Sequence, residues 1–377
     1  VHDITSPPVE EQLRAVLAGL LDGLPARQAS GAVDRLIAHY RGATPTHTPV
    51  LRDRADVVAY AAYRMPATFE AVAAALGALA DRLPGWSPAS HLDVGGGTGA
   101  AVWAAARVWA GEGEGGGVPR RTAVLDWAEP ALALGRELAA GSAGAAPRAA
   151  RWHSGKLSAE TLTAAARELS DATTGAGPGV ELVTVSYVLG ELTPADRRET
   201  VAAAARAGRA VVIVEPGTPE GYLRVLEARQ LLVDAGLRVL APCPHSAACP
   251  ITPGTDWCHF AARVSRSSLH RRVKGGSLPY EDEKFSYVAA LRPHPVASEE
   301  AERPAGARVV RKPQLRKGLV LLELCTAEGE LRRTTVSKRH GPLYRAARDA
   351  EWGDAWPPEA DAATPATPEA PEAGAGG

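Results

Sequence analysis

The stretch that most constrains this chain is LDVGGGTGAA, residues 92–101. A short apolar run ends at Asp93, passes through four glycines, and enters AAVWAAARVWA, a helix-forming segment. Strand, glycine turn and helix make the entry to a nucleotide-type pocket, because glycines leave no Cβ between loop and ligand and the helix turns its first N–H groups toward the turn. An acid followed by Gly-x-Gly-x-Gly suits S-adenosylmethionine (SAM), whose ammonium end needs acceptors where a dinucleotide needs a phosphate cradle. The same letters also read Gly-x-Gly-x-x-Ala through Ala100, so the motif alone leaves a nicotinamide ligand open. Asp93, Gly95, Gly97 and Gly99 are the candidate cofactor-binding residues of this loop.

Strands and helices alternate on either side of the motif. TAVLD ends at Asp126, the acid expected after a second strand, where it accepts the ribose hydroxyls; the bland alternative is an N-cap for the helix WAEPALALGRELA. ELVTVSYVLGEL (181–192) and RAVVIVEPGTPEGY (209–222) read as further buried strands, which makes Ser186, Tyr187, Glu191 and Glu215 candidate pocket residues at strand ends. Alternation over 91–241 predicts an α/β fold with a Rossmann-type, doubly wound sheet. An N-terminal helical region is expected over 1–88, the SAM-binding domain over 89–241, a cysteine-rich and antiparallel β extension over 242–356, and a Pro/Ala/Glu-rich disordered tail over 357–377. Within the first region, 9–40 reads as two amphipathic helices and 54–83 as a third that Pro66 should kink or restart, with Tyr60, Tyr63 and Met65 packed over the main domain.

With 377 residues and 45% hydrophobic content the chain can bury a large core. It shows no long uncharged apolar window and no basic leader followed by an apolar stretch, so a cytoplasmic location without membrane partners is expected. The net charge of −1 hides an uneven distribution: residues 263–345 hold 18 Lys and Arg against 9 Asp and Glu. Arg263, Arg266, Arg271, Arg272 and Lys274 lie within twelve residues free of acids and read as a basic helix. Such runs are usually a solvated face, but the strip also matches a phosphate backbone, and with Arg316 and Lys317 it forms the candidate RNA-binding set.

All four cysteines fall late in the chain: Cys243, Cys249 and Cys258 in the form C-x5-C-x8-C, and Cys325 at the end of an apolar strand. The segment CPHSAACPITPGTDWCHF has no periodicity with which to build a core and needs another organiser, which a metal supplies. Thiolates suit zinc or iron–sulfur. Paired short knuckles, the usual zinc pattern, are missing, and the wide gaps better suit a loop wrapped around a cubane; a zinc site completed by His245 or His259 stays open.

Taken together, LDVGGGTGA, SYVLGEL, VEPGTPEGY, APCPHSAACP, DWCHF, the R-S-x-L-H-R-R-x-K-G run, LPYEDEKFSY and LRKG resemble the ribosomal small-subunit assembly methyltransferase-like family, of the Rsm-twenty-two or methyltransferase-like-seventeen type, over about residues 55–356. The resemblance implies a SAM-binding Rossmann-type domain, a [4Fe–4S] cluster on all four cysteines, and association with small-subunit ribosomal RNA during assembly. It does not supply a catalytic residue. Where an amino-methylating enzyme carries Asn/Asp-Pro-Pro-aromatic, this chain reads SYVLGEL, and carbon-5 methylation of cytosine needs a cysteine nucleophile that the metal reading has already committed. The readings that follow are an rRNA methyltransferase, a non-catalytic assembly factor, and a small-molecule methyltransferase with structural zinc.

Overall fold

A computed structural model describes residues 7–22, 31, 54–110, 119–170, 179–266, 278–293 and 304–358. The second expected N-terminal helix, the GEGEGGG insertion, Arg271, Arg272, Lys274 and the tail past 358 lie outside these residues.

The first unit is an eight-stranded sheet. Its strands are β1 (Ser90–Val94), β2 (Arg121–Asp126), β3 (Arg151–Ser154), β4 (Val180–Ser186), β5 (Gly208–Pro216), β6 (Arg238–Ala241), β7 (Phe260–Ser265) and β8 (Tyr280–Leu291). They run in the order β3-β2-β1-β4-β5-β8-β6, with β7 beside β8. The first five are parallel, and β8 enters antiparallel between β5 and β6. The intervening helices are α3 (Ala100–Val108), α4 (Glu129–Ala140), α5 (Ala145–Arg148), α6 (Ala159–Leu169), α7 (Pro194–Ala207) and α8 (Pro219–Asp234), preceded by α1 (Val9–Asp22) and α2 (Arg54–Ala80).

Alternation along the central strands explains the two layers. On β5, Ala210, Val212 and Val214 join a core with α1, α2, α3 and α4, while Val211 and Ile213 join one with α6, α7 and α8. Both faces are covered, as a parallel sheet requires. Helix α2 continues through Pro66 and is not restarted there. The proline costs about 3 kcal/mol. Burying Met65, Phe69, Leu76 and Leu79 at about 1.5–3 kcal/mol each outweighs it.

The sheet also passes the boundary expected at 241, because β7 and β8 complete it from later in the chain. Residues 263–265, read from sequence as the start of a basic helix, are strand: β7 pairs Arg263 with Asp282 and Ser265 with Tyr280 on β8. The acids that pair with Arg263 and Arg266, Asp282 and Glu281, come from the partner strand, a relation no helical reading contains.

A second, five-stranded sheet follows: β9 (Ala307–Val309), β10 (Gln314–Arg316), β11 (Leu319–Thr326), β12 (Leu331–Ser337) and β13 (Ala355–Trp356), all antiparallel and backed by α9 (Pro342–Asp349). A tight turn joins β11 to β12, with Gly329 N donating to Thr326 O at 3.0 Å. Val309, Val320, Leu322, Leu324, Val336, Ala347 and Trp356 form its own small core.

Leu182→Ala, fully buried against the α2 side of the sheet, is expected to lower the unfolding free energy in urea by about 2–5 kcal/mol. Leu223→Ala, 47% exposed on α8, should shift it by less than about 0.5 kcal/mol.

Candidate functional site

Parallel register assembles the first site. Val94 pairs with Leu125 on one side and Val185 on the other, so the next residues, Gly95, Asp126 and Ser186, end in one row at the C-terminal edge of the sheet. Gly95, Gly97 and Gly99 all adopt left-handed backbone, at φ 68°, 51° and 82°. At Gly97 an added Cβ meets nothing nearer than Asp126 Oδ2 at 3.8 Å, so the loop leaves open space beside the β2 carboxylate. Asp126 accepts from Gly97 N (2.9 Å) and Ala128 N (2.8 Å), joining the two turns. The N-cap of α4 is Ala128, so the capping role considered for Asp126 is not the one it plays. Trp127, 42% exposed, stands next to it and escaped the sequence reading. Ser186 closes the row at 8% exposure.

Asp93 lies behind the loop. Its carboxyl accepts from Thr184 Oγ1 at 2.8 Å, Thr184 in turn meets His91 Nε2 at 2.8 Å, and Oδ2 is buried without a partner. Gly96, which sequence reasoning passed over, is what permits this: a Cβ there would sit 2.3 Å from Asp93 Oδ2. Burial, and then the charge of Asp126, push the Asp93 carboxyl up to about 7 against the opposing hydrogen bond from Thr184.

Two other strand-end candidates are occupied. Glu215 is fully buried, accepts from Arg224 Nε at 2.6 Å and from Leu189 N at 3.0 Å, and so braces the 189–191 turn. Tyr187, the one non-glycine residue with positive φ (58°) among the described residues, donates to Glu283 Oε1 at 3.1 Å, which Arg64 of α2 also pairs with at 3.1 Å. Glu191 is exposed at the rim.

The second site sits at the far edge of the sheet. β6 pairs with residues 289–291 of β8 and β7 with 280–285, which leaves that edge open between them. The loop 242–259 leaves and re-enters at this break, and side chains pin it: Ser286 Oγ donates to Cys258 O (2.7 Å), Trp257 Nε1 to Gly217 O (2.9 Å), and Arg229 to His245 O (2.9 Å) and Ala247 O (2.6 Å). Cys243, Cys249, Cys258 and Cys325 all line one cavity holding about 540 Å³ of empty space, part of it open to solvent. The thiols are unbridged. Among the described residues no three His, Cys, Asp or Glu side chains converge on a single ion-sized point. Desolvation raises Cys243 and Cys258 and brings Cys325 to about 12; neighbouring cysteines add to each shift, while Arg229 and Arg308 oppose it at Cys243 and Cys325. Tyr222 OH lies 3.3 Å from Cys249 Sγ, and His245 Nε2 lies 3.4 Å from Cys325 Sγ. His259 is taken up in a stack with Trp257 (5.1 Å) and Trp352 (4.8 Å).

The basic residues divide in two. Arg263 pairs with Asp282 (2.7 Å) and lies over the Tyr280 ring, and Arg266 forms a largely buried pair with Glu281 (2.9 Å), so neither is an idle cation. Arg316 and Lys317, by contrast, are exposed at the β10–β11 turn, and Lys338 and Arg339 join them because Lys338 N bonds Gly318 O at 3.1 Å. No ion-pair partner meets these four among the described residues. The latter two lie 22 residues farther along and were missed because only the β11–β12 register brings them there.

The strand order and the glycine row define the class: a Rossmann-type, doubly wound α/β fold. Within it the chain belongs to the Rsm22 family, whose model, described as mitochondrial small ribosomal subunit Rsm22, matches residues 54–357. It is 31% identical over 157 residues to the human mitochondrial ribosome assembly protein METTL17, covering 39% of this chain and 32% of that protein. To the mitochondrial ribosome assembly protein RSM22 of Saccharomyces cerevisiae it is 24% identical over 179 residues, covering 32% and 28%. The chain thus spans a third or less of these relatives' lengths. Among solved structures it is similar to an O-methyltransferase family protein from Burkholderia thailandensis (TM-score 0.39, 15% identity, 70% of this chain and 69% of that one) and to magnesium protoporphyrin IX methyltransferase from Synechocystis (0.34, 14%, 60% and 83%).

Because the folded pKa of Asp93 lies above its ordinary value of 3.8, the native state holds this proton more tightly than the unfolded chain. Its contribution to stability therefore falls as pH rises from about 4 to about 7 and is level beyond. Asp93→Asn, neutral throughout, should gain on the parent between pH 5 and pH 8 in urea unfolding. An unchanged difference at the two pH values would contradict the assignment.

Proposed function

We propose that this chain is a SAM-binding, methyltransferase-like factor with a thiolate metal centre, acting on the small ribosomal subunit through ribosomal RNA. The observation that carries the reading is the meeting of four cysteines from two parts of the fold in one cavity, beside a sheet that ends in four unpaired exposed cations. The names of the relatives, both ribosome assembly proteins, point the same way.

The residues fit both groups. For SAM, the space beside Gly97 faces Asp126, whose remaining lone pairs suit ribose hydroxyls, and Trp127 offers an apolar wall. For a metal, the Cys243, Cys258 and Cys325 thiols, raised by desolvation and by neighbouring cysteines, are costly to ionise alone and are relieved by a bound cation. The wide C-x5-C-x8-C gaps favour a [4Fe–4S] centre over a single zinc, whose usual ligands come as paired short knuckles. Cys243, Cys249, Cys258 and Cys325 would hold it, and it would join the loop and the second sheet in place of a hydrophobic core.

A second reading, a non-catalytic assembly factor, is favoured by Tyr187. At the strand end where a methyl acceptor would lie, its hydroxyl is committed to Glu283, which Arg64 also pairs with, and neither of its chain neighbours, Ser186 and Val188, is a carboxamide.

Two variants separate the surfaces. Changing Arg316, Lys317, Lys338 and Arg339 together to alanine should weaken binding to small-subunit RNA and flatten its logarithmic salt slope by up to about 3, while SAM affinity by calorimetry stays at the parent value. Gly97→Val should do the reverse, abolishing SAM binding by filling the space beside Asp126. Loss of both activities in either variant, or of neither, would overturn the division. Transfer of label from SAM to a small-subunit substrate decides between the enzyme and the assembly factor.

A further inference from the structure

Two arginines line the cysteine cavity, and both are buried at 4% exposure. Arg229 comes from α8 of the first unit; Arg308 comes from β9 of the second and is paired in register with Cys325 on β11. Backbone carbonyls anchor each guanidinium, Arg229 through His245 O and Ala247 O and Arg308 through Pro242 O (2.9 Å) and Gly353 O (2.8 Å), and Arg229 also reaches the Cys243 thiol. Among the described residues neither has a carboxylate partner, and Arg229 Nε is buried with no acceptor at all. A carbonyl oxygen satisfies an N–H but does not cancel a charge, so the site holds two buried cations with no carboxylate among the described residues to neutralise them.

Charge balance says what completes the site. Neutral thiols leave both cations uncompensated, and four bare thiolates overshoot. Four thiolates around a doubly positive centre carry about two net negative charges, which matches the two arginines. We infer that Arg229 and Arg308 are the built-in counter-charges of the four-cysteine centre, one supplied by each half of the molecule, and that they determine how firmly the centre is retained. The inference rests on the metal reading given above and deepens it. It also gives Arg229 Nε an acceptor, since a thiolate or sulfide sulfur takes the N–H that no protein atom takes.

The test is metal retention in anaerobically purified protein. Arg308→Gln and Arg229→Gln keep a donor for the carbonyls and remove the charge; Arg308→Lys and Arg229→Lys keep the charge. Arg292→Gln is the control, because Arg292 also braces backbone carbonyls, Ala205 O at 2.6 Å and Ala235 O at 3.3 Å, without lining the cavity. Iron, zinc and sulfide are measured per chain, then their release to EDTA is timed. The glutamine variants should lose metal at least about tenfold faster than the parent, with the lysine variants and the control within about threefold. Glutamine variants that retain metal like the parent overturn the inference, and so do lysine variants that lose it as fast as glutamine, since bracing alone would then be the role. Should one position fail to fold when changed, the pair at the other makes the same comparison. A parent chain that binds neither iron nor zinc overturns the metal centre itself, and the inference with it.

Discussion

The outer edge of β8 is the constraint on which the second half of this molecule depends. A strand edge carries unpaired N–H and C=O groups that must be met somewhere. Here β6 covers one end and β7 the other, and a single chain segment, 242–259, has to cross the gap between them. That crossing cannot be regular structure, so cysteines, prolines and polar anchors gather at one place. The second sheet is then joined to the first through this loop: Arg308 to Pro242, Arg311 to Asp256, Cys325 to His245, and Trp352 against His259. The loop has few apolar side chains of its own, and the proposed metal centre stands where a core would otherwise be.

The glycine pocket obeys the opposite logic. It needs no organiser beyond the sheet, because parallel register alone brings Gly95, Asp126 and Ser186 level. Its one costly element is Asp93, buried under Gly96 with an unpartnered oxygen and a raised pKa. The two sites thus sit on opposite parts of the same sheet, one at the strand ends of its parallel half and one at its antiparallel edge.

Much of this was legible in the residues. The glycine run, the strand ending at Asp126 and the alternation of apolar strands with helices predict the doubly wound sheet, since period and turn chemistry are local properties. What stayed hidden depends on partners far away in sequence. The acids Glu281 and Asp282 that pair with Arg266 and Arg263 are visible only once β7 and β8 are side by side, which also turns an expected helix into strand. Glu215 reads as a strand-end ligand until Arg224 and Leu189 are seen to hold it. Arg229 and Arg308 carry no sequence signal at all, being single basic residues in ordinary helix and strand patterns. Pro66 alone does not tell a kink from a restart, because local propensity leaves out the apolar face that α2 buries.

The account holds that a bound centre ties the second sheet and the cysteine loop to the first sheet while leaving the glycine pocket independent. Amide hydrogen exchange, compared between anaerobically loaded and chelator-stripped protein, tests this most directly. Stripping should speed exchange in residues 242–259, β9 and the Cys325 end of β11, with β1, β2, β4 and β5 unchanged. Equal protection of the loop and β9 in both states, or loss of protection spread evenly over both sheets, would contradict it.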